Sequence, residues 1–133
     1  MLRVLLADDN ARFRALLRQL LERDPEIDVV AEAGTGAQAL QLAAEFTPHV
    51  VVMDVSMPEL NGDSAATALK DRAPETRVVM LSVDRGDREV AASLAGGASE
   101  YLVKGGPAEE LVSAIKRHGP LDRQAASALR GSS

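Results

Sequence analysis

Cysteine is absent from the 133 residues. No disulfide framework can form, and zinc sites built on Cys are excluded. Tryptophan is absent too, which leaves Phe13, Phe46 and Tyr101 as the aromatics. A base-stacking platform needs several aromatics on one face, and this chain cannot supply one. Basic residues are in deficit: 15 Lys and Arg against 20 Asp and Glu give a net charge of -5. Phosphate contacts need a basic surface, so direct nucleic acid binding by this chain is not expected. No apolar run reaches the roughly 18 residues of a membrane helix. The start, Met1-Leu2-Arg3-Val4, runs straight into a strand-like segment without a signal-peptide layout. A cytoplasmic location with no membrane contact is the default expectation.

What is present suits one globular domain. Hydrophobic content is 46%, enough for a real core at this length. Strand-like and helix-like patterns alternate five times. Leu2–Ala7, Ile27–Ala33, Val50–Met53, Arg77–Leu81 and Glu100–Val103 read as strands. The run Val50–Met53 is apolar throughout, as in a parallel strand buried on both faces. Phe13, Leu16, Leu17, Leu20 and Leu21 follow the spacing of a helix with one buried face. Ala39, Leu42, Ala43 and Phe46 mark a second helix, and Ala65, Ala68 and Leu69 a third. The fourth, Asp87–Ala95, is thin, with Val90 and Leu94 as its large apolar residues. Leu111, Val112 and Ile115 give the fifth its buried face. Alternating elements of this kind imply an α/β fold, a five-stranded parallel sheet with helices on both faces.

The chemistry sits at strand ends. Asp8-Asp9 closes the first strand, Asp54 the third, Ser82 the fourth and Lys104 the fifth. In an open parallel sheet the carboxyl ends share one edge, where ligands bind. Any one of these residues alone reads as a solvated loop residue or a helix cap. Together they place three carboxylates and one ammonium in one crevice. Crowded carboxylates repel unless a cation sits among them, so a divalent metal site facing a lysine is the economical reading.

These segments resemble the receiver domain of bacterial two-component response regulators. The resemblance rests on Leu5-Leu6-Ala7-Asp8-Asp9, on Val52-Met53-Asp54-Val55-Ser56-Met57-Pro58-Glu59-Leu60-Asn61-Gly62, on Val79-Met80-Leu81-Ser82, and on Ala98-Ser99-Glu100-Tyr101-Leu102-Val103-Lys104. It covers residues 1–117, and the style is that of the NarL/LuxR-type transcription regulators. It implies the flavodoxin-like strand order 2-1-3-4-5. It further implies that Asp54 is the phosphoacceptor and that Asp9, Asp8 through water, Asp54 and the Ser56 carbonyl hold Mg²⁺. Lys104 and the Ser82 hydroxyl would bind phosphoryl oxygens. Ser82 and Tyr101 would form the switch that biases the surface of the fourth helix, fifth strand and fifth helix. The implied donor is a sensor histidine kinase, and the implied receiver of the signal is an output domain or a partner protein. A homodimer is compatible with this pattern. The domain is a switch, not a turnover enzyme.

Two departures stand out. Val83 replaces the usual small residue after Ser82 and, with Asp84, is expected at the rim of the site. Gly105-Gly106 follows Lys104 where Pro is common. Residues 118–133 read as a linker remnant or a disordered tail, so the chain is expected to be a truncated or a stand-alone receiver. Phosphorelay or protein–protein output is the alternative to transcription control.

Other readings compete. Gly34-Thr35-Gly36-Ala37-Gln38-Ala39 matches G-x-G-x-x-A between a strand and a helix, with Asp54 at the next strand end. That nucleotide-binding reading of Gly34 and Gly36 leaves Asp8, Asp9, Ser82 and Lys104 unexplained. An aspartyl phosphatase would need an acid where Ser56 stands. His49 and His118 have no metal partner at ligand spacing. For the arginines of the first helix, solvation and kinase docking both stay open.

Overall fold

Valine- and leucine-rich runs set the frame of this computed structural model, which describes residues 1–57, 60–83 and 86–119, with the backbone alone at Asp87. Strands β1 (Leu2–Ala7), β2 (Ile27–Ala33), β3 (Val50–Asp54), β4 (Arg77–Ser82) and β5 (Glu100–Val103) lie in one sheet, in the order β2-β1-β3-β4-β5. All four pairings are parallel. Helices α1 (Ala11–Leu21), α2 (Gly36–Phe46), α3 (Gly62–Arg72), α4 (Asp87–Ala95) and α5 (Ala108–His118) make the connections. The fold class and strand order are those expected. Helix α5 runs one residue past the boundary at 117, and the expected tail from 120 onward lies outside the described residues.

Side chains alternate across a strand, and that alternation splits the core. Leu2, Val4 and Leu6 face a layer with Leu17 and Leu21 of α1 and Leu111 and Ile115 of α5. Leu5, Ala7, Val51 and Met53 face the other layer, where α2 and α3 supply Ala39, Ala43, Ala65, Ala66 and Leu69. Each large apolar side chain so buried contributes about 1.5–3 kcal/mol. The layers differ in kind. The first is built of Leu, Ile and Val with Ala114, whereas Met53, Met57 and Met80 all lie in the second, among alanines.

Three helix starts are capped by side chains, which satisfies amides that have no partner inside the helix. Asn10 accepts from the Phe13 amide, Thr35 from Gln38 and Asn61 from Ser64. Helices α4 and α5 begin after Gly86 and Pro107, which offer no such oxygen.

Two helices differ from the sequence expectation. On α1 only Leu17 and Leu21 are buried, while Leu16 is 52% exposed. The sheet covers a narrower stripe than the periodicity suggests, and the rest of the apolar face borders a groove. On α4, Leu94 is 44% exposed, Val90 is half-buried, and among the described side chains the buried one is Ser93. Its hydroxyl donates to Asp63 Oδ1 of α3 at 2.6 Å. A polar latch therefore stands where a hydrophobic contact is expected.

Candidate phosphorylation and metal site

Parallel strands deliver their last residues to one edge, and there the expected constellation assembles. Ligand oxygens of Asp8, Asp9 and Asp54 lie within 4.8 Å of one another. Asp8 and Asp54 are buried and Asp9 is exposed. Lys104 Nζ stands 2.7 Å from Asp8 Oδ2 and 3.1 Å from Asp54 Oδ2. The Ser82 carbonyl accepts from the Lys104 amide at 2.7 Å, which ties the ends of β4 and β5 together. Gly105 follows at φ 86, a left-handed turn open to glycine.

Local hydrogen bonds fix the carboxylates. Asp8 Oδ1 accepts from the Asn10 amide at 2.8 Å, and Asp54 Oδ1 accepts from the Ser56 amide at 3.1 Å. Gly62 presses its Cα on this strand end. A Cβ there would stand 2.2 Å from the Asp54 carbonyl oxygen, so only glycine lets α3 start so close.

Burial pushes the Asp54 carboxyl above its ordinary value, against the opposing pull of the Ser56 amide and the Lys104 ammonium. Burial alone would lower Lys104. Its bonds to Asp8 and Asp54 outweigh that and hold the ammonium above its ordinary range.

The donor chemistry fits Mg²⁺, a hard cation that takes carboxylates and carbonyls and keeps several waters. Asp9 lines an open cleft with Ser56, Asn61 and Asp63. Asp8 already spends one oxygen on an amide and the other on Lys104, which suits contact through water.

Other expected residues fall as follows. Ser82 is buried at the end of β4, and Tyr101 is half-buried on β5, paired in register with Met80. Val83 is 80% exposed directly after Ser82. Asp84 lies outside the described residues. Gly36 belongs to packing and not to a phosphate cradle, because a Cβ there would meet the Leu60 carbonyl oxygen at 2.1 Å. His49 Nδ1 accepts from the Arg3 amide, and His118 contacts Glu100.

Phe13 and Arg14, both beside the site, escaped sequence reasoning. The Phe13 ring lies under Lys104, with Nζ 4.4 Å from its centroid. Periodicity marks Phe13 as core, and only its place four residues after Asp9 hints at more. Arg14 donates to the Asp8 carbonyl and to Glu32 Oε1, and Arg18 donates to Glu32 Oε2. These arginines therefore brace α1 against β2 and are not merely solvated.

Known proteins resemble this chain in sequence and fold. The sequence model of the response regulator receiver domain matches residues 4–116. The transcriptional regulatory protein DegU of Brevibacillus brevis is 35% identical over 115 residues, 86% of this chain and 49% of its own length. The DNA-binding transcriptional activator DevR/DosR of Mycobacterium tuberculosis is 38% identical, covering 97% of this chain and 61% of its own length. The signal receiver domain of NarL from Mycobacterium tuberculosis superposes with a TM-score of 0.83 at 32% identity, over 86% of this chain and 92% of that one. The chain thus spans about half the length of the curated relatives it matches. With sheet order, acidic cluster and family match in agreement, this chain belongs to the response regulator receiver domains of two-component signalling systems.

Proposed function

We propose that Asp54 accepts a phosphoryl group from the phosphohistidine of a sensor kinase. One observation carries this reading: Asp8, Asp9 and Asp54 converge at one sheet edge with the Lys104 ammonium between two of them. A carboxylate oxygen of Asp54 attacks phosphorus, the phosphorus–nitrogen bond breaks, and the imidazole leaves with the electron pair. The Ser56 amide orients Asp54 through Oδ1. Lys104 releases Asp54 and follows the phosphoryl oxygens, and the Ser82 hydroxyl takes another. Asp9, Asp54 and the Ser56 carbonyl would hold Mg²⁺ directly, and Asp8 through water. Bound there, the ion would neutralise charge on the transferring group.

Drawing Ser82 toward the phosphoryl group leaves room for Tyr101 to turn, which biases α4, β5 and α5. Val83 at the rim narrows the approach for donor and water. Residues 1–117 constitute the receiver, acting in the cytoplasm. The output is transcription control through a DNA-binding domain, a role that the names of the DegU and DevR/DosR relatives support.

A small acyl phosphodonor with Mg²⁺ should add one phosphoryl mass to the wild type and none to Asp54→Asn. Robust labelling of the Asn variant would remove Asp54 as acceptor. In the same samples, NMR shifts at Tyr101 on phosphorylation should be large in wild type and small in Ser82→Ala. Equal responses would remove Ser82 from the switch.

A further inference from the structure

We propose that Phe13 is a positioning residue for phosphoryl transfer, holding the Lys104 ammonium over its ring face. The proposal rests on reading Lys104 as the phosphoryl-binding cation. An ammonium has three N–H groups. Two of its neighbours are carboxylates, Asp8 at 2.7 Å and Asp54 at 3.1 Å. The third is the Phe13 ring, whose centroid is 4.4 Å from Nζ. That distance lies well inside the range of about 6 Å over which a ring face attracts a cation.

The three neighbours differ in what phosphorylation does to them. Asp54 turns from a carboxylate into an acyl phosphate. Asp8 belongs to the cluster that would face the metal. The ring has no titratable proton, takes no metal and does not change, so its attraction persists through the reaction. It can keep the ammonium at the site while the ion pair with Asp54 is given up.

Local structure supports this placement. Phe13 is the third helical residue of α1, and its amide is the one that the Asn10 side chain caps. Asn10 in turn donates its own amide to Asp8 Oδ1. One short segment therefore sets both the Asp8 carboxylate and the aromatic ring. Lys104 is only partly exposed, its side chain retaining 18% of its accessible surface, and reduced solvation strengthens the attraction between cation and ring. Core packing takes up the ring only in part, for Phe13 is half-buried. It touches the first core layer on one side and lines a groove of about 250 Å³ with Leu16, Leu20 and Leu102 on another.

The test replaces Phe13 by mono-, di- and trifluorophenylalanine at that position alone. Fluorine drains the ring face of electron density at nearly constant size. The phosphorylation rate with acetyl phosphate and Mg²⁺, read by intact mass, should fall stepwise along the series. Phe13→Leu should be slower by about 3- to 10-fold with Asp54 still the labelled residue, and Phe13→Trp should restore the rate. In metal-free wild type the Lys104 ε-methylene protons should show an upfield ring-current shift that Phe13→Leu loses. A flat fluorine series, or a Phe13→Leu rate within about twofold of wild type, overturns the proposal, as does an absent ring-current shift. If Phe13→Leu does not fold, the fluorinated series decides alone. A wild-type rate in Lys104→Gln would remove the cation itself. Labelling of Asp54→Asn would bring down the acceptor reading instead, so the two failures are distinguishable.

Discussion

Lys104 answers two carboxylates with one charge, and Asp9 is left exposed beside them. The exposed carboxylate is the one whose removal should separate metal binding from folding. Asp9→Ala deletes a ligand but also relieves repulsion within the cluster. Its melting temperature without metal should match or exceed wild type. Added Mg²⁺ should stabilise the wild type and leave Asp9→Ala unmoved, because only a ligand that binds the native state raises the melting point. A wild-type metal response in Asp9→Ala would show that the ion sits elsewhere. At this scale the convergence of side chains was legible, since Asp8, Asp9, Asp54, Ser82 and Lys104 each stand at a strand end. Phe13 was not. A side chain at helical spacing reads as core whether or not its ring also faces a cation.

Elements were legible where burial follows periodicity and less so where it does not. Strand ends emerge from Val-rich runs, whereas the caps Asn10, Thr35 and Asn61 are seen only in the structure. The α1 stripe promised five buried positions, but the sheet edge leaves Leu16 and part of its neighbours to a groove. Helix α4 is the clearer case. Leu94 stays outside and Val90 is only half-buried, while Ser93, 2% exposed, bonds Asp63. No one-dimensional pattern reveals that a serine on one helix meets an aspartate on another. Ser93→Ala should cost about 1 kcal/mol, because Asp63 is half-exposed and water can replace the lost donor. Hydrogen exchange should quicken in α4 and hold steady in α1 and α5. Uniform loss of protection across the domain would show that the latch serves global stability and not the anchoring of α4.

The whole molecule is braced by ion pairs at its margins as well as by its core. Glu32 of β2 takes Arg14 at 2.9 Å and Arg18 at 2.8 Å, both from α1. The Arg18 hydrogen bond, opposed by burial and aided by Arg14, holds the Glu32 carboxyl below its ordinary 4.5. A carboxyl lowered in the native state adds stability above its unfolded value and loses it as pH falls through the native one. Glu32→Gln should therefore melt earlier than wild type at neutral pH, and the gap should close in acid below about 4.5. A constant gap down to strongly acidic pH would mean that shape, not charge, is what Glu32 supplies. Domain class was legible at this scale from the alternation of elements, whereas the sheet order was legible only through the family resemblance carried by the strand-end motifs. The unlike chemistry of the two core layers has a mechanical consequence. Branched side chains interlock like teeth, whereas alanine faces lubricated by unbranched, polarisable Met53, Met57 and Met80 can slide and refill their gaps. Strain entering at the shared strand edge would then be absorbed unevenly, with the interlocked layer under α1 holding its shape and the alanine and methionine packing of α2 and α3 yielding first.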